Sequence, residues 1–261
     1  PRLAIFGATG GCANGTLALA LKEGYICTAL VRNPTKLNTI LFENHQIDAA
    51  TYIASGALTV VEGSISKQED ILSTIRNGNS PPADHIVFGL GGAPSLQWSI
   101  ITPVTMHHPT ICEDATKAIL AAIATVRGTT PSYRPVLSWI STTGTSSRRD
   151  VPMLIYHLYH WMLQVPHADK RKMEALIFDN QPTEGKGHAY EFVIIRPTLL
   201  TDGNYKGLDK VNVGWENPDQ TGDGPAMGYS ISRKDVGQWI FETIVKDGKK
   251  GQYNNKCVTL T

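Results

Sequence analysis

The chain has 261 residues, with 24 Lys and Arg against 23 Asp and Glu, a formal net charge of +1 and 41% hydrophobic residues. That length suits one α/β sheet domain with insertions and a sizeable core. The balanced charge carries no polyelectrolyte signature for DNA, RNA or an anionic membrane.

The first apolar run, residues 3–6, leads straight into Gly7-Ala8-Thr9-Gly10-Gly11-Cys12-Ala13. A strand, a glycine turn and a helix at 14–23 (Leu17, Leu19, Leu21) are expected, with a second strand at 26–31. This G-x-x-G-x-x-A turn sets backbone N–H groups and a helix N-terminus against a dinucleotide pyrophosphate. Gly7 permits the tight turn, Gly10 lets the backbone approach the phosphates, and Ala13 is small enough to pack the helix on the strand. Thr9, Gly11 and Cys12 complete the cradle. The glycines alone also fit a nucleotide-free turn; the flanking elements favour the nucleotide. The chain starts in a strand with neither an initiator Met nor a secretory leader, so a few residues are expected to precede it.

Strand two ends in Arg32-Asn33-Pro34-Thr35-Lys36. An NAD site places an acidic residue there for the ribose 2′-OH. Arg32, with Lys36 nearby, instead suits a 2′-phosphate and favours NADP(H). A surface arginine before a proline turn is the alternative. A third strand at 58–62 leads into Gly63-Ser64, expected near the adenine. After a helix at 68–75, a fourth strand at 85–88 leads into Gly89-Leu90-Gly91, where glycine lets the backbone pass close to a ribose. Turn chemistry alone accounts equally for either segment.

Residues 91–110 and 142–166 follow strand ends, where a substrate site would be built. A helix at 112–127 and a fifth strand at 136–141 lie between them. That strand ends in Ser141-Thr142-Thr143-Gly144. Ser141 is expected beside the nicotinamide, polarising an acceptor oxygen, unless these hydroxyls serve their own turn. Segment 151–165 is the most apolar, but it is shorter than a bilayer span and carries His157 and His160. Those two histidines share a helix face without a third ligand at metal spacing, so no metal is expected; His107-His108 likewise lacks partners. Trp98, Tyr156 and Trp161 read as pocket wall or as core. A Tyr-x-x-x-Lys pair, in which the ammonium lowers the phenol pKa, is absent: four residues after Tyr156 is His160, and four after Tyr159 is Leu163. Lys170, on a helix at 168–178, is the nearer candidate to hold a ribose hydroxyl or donate a proton. Tyr156 and solvent are the other proton sources.

A sixth strand at 192–196 ends in Arg196-Pro197-Thr198, where main-chain groups can meet the nicotinamide carboxamide. Residues 197–229, rich in Gly, Asn and Asp, are expected as a loop-rich extension on the substrate side. A helix at 235–245 and a strand at 256–260 close the chain. Strands alternating with helices predict a doubly wound parallel sheet with helices on both faces, a single domain over 1–261, and ligand at the strand carboxyl ends. The four cysteines, Cys12, Cys27, Cys112 and Cys257, lie far apart without C-x-x-C. They read as reduced thiols of a cytoplasmic protein. No apolar pattern decides between monomer and homodimer.

Taken together, Ile5-Phe6-Gly7-Ala8-Thr9-Gly10, Leu30-Val31-Arg32-Asn33-Pro34, the Ser141 strand end, Asp169-Lys170, Arg196-Pro197-Thr198 and the segment from Tyr229 to Gly237 resemble atypical short-chain dehydrogenase/reductases. The branch they are most similar to is the NmrA-like and NADPH flavin reductase/biliverdin-IXβ reductase group, over nearly the whole chain. The resemblance implies a Rossmann-like domain binding NADP(H), with Gly7, Thr9, Gly10 and Arg32 at the cofactor, Ser141 near the nicotinamide and Lys170 as an active-site lysine. Ala13 stands for the third glycine, and Ser64 for the Asp common after the third strand. The expected activity is hydride transfer from NADPH to a small aromatic or conjugated carbonyl-type molecule. The alternatives are a non-catalytic NADP(H) sensor, as some members are, or an isomerase or dehydratase that uses the nucleotide transiently.

Overall fold

The computed structural model describes residues 1–92, 94–96, 104–179, 189–246 and 251–261. The first half runs β1 (Arg2–Phe6), α1 (Gly11–Lys22), β2 (Ile26–Val31), α2 (Pro34–His45), α3 (Ala49–Ala54), β3 (Leu58–Glu62), α4 (Gln68–Ile75) and β4 (His85–Phe88). Then come β5 (Pro94–Leu96), β6 (Val104–Met106), α5 (Ile111–Thr129), β7 (Val136–Ile140), α6 (Met153–Met162) and α7 (Gln164–Asp179). The last part runs β8 (Glu191–Pro197), β9 (Leu199–Thr201), β10 (Val213–Glu216), β11 (Ser230–Ser232), α8 (Arg233–Ile240) with a π-helical turn over Phe241–Val245, and β12 (Lys256–Leu260).

Eight strands form the main sheet in the order β3-β2-β1-β4-β7-β8-β12-β10. Neighbours run parallel from β3 to β12, and β10 returns antiparallel on β12. Strand order reverses between β1 and β4. The ligand crevice of such a sheet lies at that reversal, beyond the carboxyl ends. This is the doubly wound parallel sheet that the alternating pattern predicts.

The core explains the near-continuous apolar strands. Along β1, Leu3 and Ile5 face the layer of α1 and α8, with Leu17, Leu21, Trp239 and Phe241. Ala4 and Phe6 face the layer of α4, α5 and α7, with Ile71, Ile119, Met173 and Ile177. The period of two sends alternate side chains to opposite faces, and both faces are covered, so both are mainly apolar. Phe88 and Trp139 stack across β4 and β7 at 4.9 Å between ring centres, 7° from parallel. That pair adds about 0.5–1.5 kcal/mol beyond its burial. At the crossing of α1 and α8, a Cβ on Gly237 would lie 2.6 Å from the Cys12 carbonyl oxygen and 3.2 Å from the Gly15 Cα.

Several boundaries depart from the expectation. Helix α1 starts at Gly11 rather than at 14, because Gly10 takes the extended cap conformation (φ −90°, ψ 143°) and its carbonyl already accepts Asn14 N–H at 2.8 Å. Helices α2 and α3 fill the β2–β3 connection. Asn33 caps α2 by accepting Lys36 N–H at 3.0 Å, Pro34 occupies the first turn, and Asp48 caps α3. Helix α7 starts at Gln164, with Pro166 in its first turn, where no amide donor is needed. Helix α8 starts at Arg233, capped by Ser232, whose Oγ accepts Asp235 N–H at 3.0 Å. Segment 197–229 holds β9, a short 3-10 turn and β10. Among the described residues, no helix is long and apolar enough to cross a membrane.

Candidate active site

The glycine turn sits at the sheet reversal. Gly7 has φ +84°, and a Cβ there would fall 2.7 Å from the backbone of Gly89, so the turn after β1 and the turn after β4 touch backbone to backbone. A Cβ on Gly89 would in turn meet Ala13 at 2.7 Å, which is why position 13 must be small. Gly10 N–H donates to the Gly7 carbonyl at 2.8 Å. The Asn14 amide donates to the Ala8 carbonyl at 2.8 Å, and its Oδ1 lies 2.9 Å from His45 Nε2. Burial, then Lys22 and Lys234, lower the His45 pKa; because an amide oxygen only accepts, the ring donates to Asn14 there. The first turn of α1 has no acidic residue and no side-chain cap. Its amide donors therefore remain for an anion, and the cradle fits a dinucleotide's phosphates. Burial pushes the Cys12 thiol up to about 12, so Cys12 contributes its backbone and not its sulfur chemistry.

The adenosine side is less built. Arg32 and Lys36 are both exposed at the carboxyl end of β2 and the start of α2. Ser64 N–H donates to Asp70 Oδ2 at 2.8 Å, and its hydroxyl pairs with Ser66 at 2.8 Å. A Cβ on Gly63 would collide with that Asp70 carboxylate at 2.3 Å. The turn after β3 is thus pinned from α4.

The other side of the crevice is organised by one face of α7. Lys170 Nζ donates to the carbonyls of Leu90 at 3.1 Å and Ile140 at 2.8 Å, just past β4 and at the end of β7. Its third donor faces only the Met173 thioether sulfur at 3.9 Å, a weak acceptor that a ribose or substrate oxygen would displace. Gly91 is exposed on the same turn. One turn along α7, Glu174 accepts the Ser141 hydroxyl at 2.5 Å and the Thr145 hydroxyl at 3.0 Å. Arg196 donates to both oxygens of Glu174, at 3.1 and 2.7 Å, and also pairs with Glu216 on β10. Ser141, Glu174, Arg196 and Glu216 are buried, and Thr145 is half-buried. Burial works most strongly against the Arg196 charge, but Glu174, Cys257 and Glu216 together outweigh it and raise the pKa above its ordinary value. Ser141 lies at the predicted strand end, but its hydroxyl is already committed to Glu174. It can meet a substrate oxygen only as an acceptor or by releasing that carboxylate.

Toward the start of α7, His167 packs against Gly144, where a Cβ would stand 2.5 Å from the imidazole. His167 is 1% exposed, its Nε2 has no hydrogen-bond partner among the described residues, and burial drives its pKa down to about 3. The Tyr159 hydroxyl lies 3.0 Å from Thr143 Oγ1 and 3.4 Å from Thr142 Oγ1, with its ring 5.3 Å from His167. Tyr156 instead packs on His160 at 4.2 Å between ring centres. On α6 it is therefore Tyr159, one turn on, that reaches the end of β7. The Pro197 carbonyl accepts Thr143 N–H at 3.1 Å. Thr198 spends its amide on the Leu260 carbonyl at 3.0 Å and its hydroxyl on the same oxygen at 3.4 Å. Trp161 is partly exposed; Trp98 lies outside the described residues. Among the described residues, no three His, Cys, Asp or Glu side chains converge as a metal site.

A family model described as NAD(P)H-binding matches residues 7–247. The chain belongs to the NAD(P)H-binding family. Reductase pytE of Aspergillus terreus is 43% identical over 268 residues, spanning 100% of this chain and 98% of that protein. Oxidase pynE of Aspergillus niger is 33% identical over 296 residues, again spanning 100% and 98%. A short chain dehydrogenase from Bacillus anthracis superposes with a TM-score of 0.66 at 14% identity, over 99% of this chain and 94% of that one. A short-chain dehydrogenase/reductase from Vibrio parahaemolyticus gives 0.60 at 13%, over 99% and 95%. The structural likenesses show the fold; the family match and the curated relatives show a nicotinamide-binding oxidoreductase, in agreement with the atypical short-chain dehydrogenase/reductase resemblance.

In this NAD(P)H-binding protein, sequence reasoning missed Glu174, Glu216, Tyr159 and His167. Glu174 was within reach, because it stands four residues after Lys170 and so shares its helix face. Glu216 was not, because only the antiparallel return of β10 brings it to Arg196.

Proposed function

We propose that the protein is an NADPH-dependent reductase of a small aromatic or conjugated carbonyl-type metabolite. A bound reduced nicotinamide supplies the hydride. The observation that carries the reading is the Lys170 ammonium, held between the carboxyl ends of β4 and β7 beside the glycine cradle. Gly7, Thr9, Gly10, Gly11, Cys12 and Ala13 would take the pyrophosphate, Gly63 and Ser64 the adenine side, and Gly89, Leu90 and Gly91 a ribose. Pro197 and Thr198 would present main-chain carbonyls to the carboxamide, since the Thr198 amide is spent on Leu260. Arg32, with Lys36, favours a 2′-phosphate because the carboxylate that an NAD site needs is missing. Lys170 holds a ribose hydroxyl or protonates the acceptor, and Ser141 orients the acceptor oxygen once its hydroxyl turns from Glu174. Tyr156 or water is the alternative proton source. One domain spans 1–261, with 197–229 as its substrate-side extension. The unpaired, buried cysteines support a cytoplasmic location, with the protein as monomer or homodimer.

A second reading, a non-catalytic NADP(H) sensor, is favoured by one observation. Pro166 stands four residues before Lys170, where a Tyr-x-x-x-Lys pair would have its phenol. Anaerobic NADPH and NADH oxidation across quinones, flavins, biliverdins and aromatic ketones separates the readings. Acceptor-dependent oxidation that is faster with NADPH is the expected result. Tight NADPH binding without oxidation would favour the sensor, and product formation without net NADPH loss an isomerase or dehydratase.

A further inference from the structure

Helix α1 opens on Gly10 and Gly11, and the space beside Gly11 is filled from the far end of the chain. A Cβ on Gly11 would lie 2.5 Å from Arg233 Cδ and 3.0 Å from Arg233 Cβ. Gly11 itself has an ordinary backbone conformation, so no turn geometry requires glycine there. The Arg233 chain lies across the first turn of α1, and its charge acts on the Cys12 thiol from that position. Its side chain is one-third exposed, and its guanidinium pairs at 2.7 Å with Asp202, whose side chain is 90% exposed.

The sheet geometry makes this pairing. Strands β9 and β11 run parallel with Thr201 opposite Ser232, so Asp202 and Arg233 are the first residues beyond the two strand ends. Asp235 Oδ1 accepts Lys206 and Gly207 N–H at 3.0 and 3.2 Å, which ties the loop after Asp202 to the start of α8. An exposed ion pair of this kind contributes little to stability. The first turn of α1 beside it still has free amide donors and no acidic residue.

We infer that Arg233 is a cofactor pyrophosphate ligand, and that Asp202 is its resting partner, given up when a dinucleotide binds. The inference rests on the cofactor reading above and adds to it a ligand from outside the glycine turn. A pyrophosphate over α1 carries more negative charge than one solvated carboxylate and offers the guanidinium a bidentate partner. The exchange releases Asp202, the first residue of the extension's loop, so cofactor occupancy is transmitted to the substrate side.

The test is direct binding, read by fluorescence or calorimetry, of NADPH and of 2′-AMP, which lacks the pyrophosphate. Arg233→Ala should weaken NADPH binding about tenfold or more while changing 2′-AMP binding less than twofold. Arg233→Lys should fall between, and Asp202→Asn should tighten NADPH binding a few-fold. NADPH affinity unchanged in Arg233→Ala, or an equal loss for 2′-AMP, would overturn the assignment. Asp202→Asn with unchanged or weaker NADPH affinity would overturn the exchange. Wild-type protein that binds neither NADPH nor NADH would overturn the cofactor reading itself, and this inference with it.

Discussion

Arg196 holds two buried carboxylates, and both depend on it. Replacing it by alanine would strand Glu174 and Glu216 in a low-dielectric interior, a loss of about 3–5 kcal/mol. Urea unfolding checks this, and a loss below about 1 kcal/mol would show the network to be dispensable. His167 gives a pH signature. Its folded pKa, about 3, lies below the unfolded value near 6.5, so the unfolded chain binds the extra proton as pH falls. Stability is therefore full above about pH 6.5 and declines toward pH 3, by up to about 1.4 kcal/mol per pH unit. His45, also lowered by burial, adds to the same slope. Asp150, whose carboxyl is raised by burial, opposes it at the acid end. His167→Phe should flatten the stability profile between pH 6 and 4; an unchanged slope would assign the acid limb to other groups.

The α1–α8 crossing is the point where packing and cofactor site meet. Gly237→Ala forces a methyl toward the Cys12 carbonyl, which lies 2.6 Å from the new carbon, and such overpacking costs about 1–3 kcal/mol. Because Cys12 belongs to the glycine turn, NADPH affinity should fall along with the urea midpoint. Affinity held at the wild-type value would separate the crossing from the site. The elements themselves were legible where periodicity is strong: every strand of the parallel core sits where its apolar run predicts. Helix α2 was not, although Asn33-Pro34 is a good start signal; the same residues also read as the turn after an adenosine-binding strand. On α6 the sequence singles out Tyr156, whereas the hydroxyl that lies beside Thr143 is that of Tyr159, and the helix direction behind that is not written in local pattern. Ser141 was correctly placed at a strand end, but the partner of its hydroxyl comes from another helix, and no local pattern encodes that.

Across the full sheet, the site is assembled from segments far apart in sequence. The turns after β1 and β4 interlock at Gly7 and Gly89, α7 lays Lys170 and Glu174 across the ends of the central strands, and β10 closes the far side through Glu216. The reversal between β1 and β4 decides where these meet, which is why motif residues spread over the chain converge on one edge. Lys170 stands at the centre of that edge. The most direct measurement is single-turnover NADPH oxidation by the wild type, Lys170→Ala and Ser141→Ala with an acceptor that the wild type reduces, alongside NADPH titrations. The expected result is a fall in turnover far larger than the change in NADPH affinity for both variants. Turnover unchanged in both would contradict the assignment of this edge as the catalytic centre.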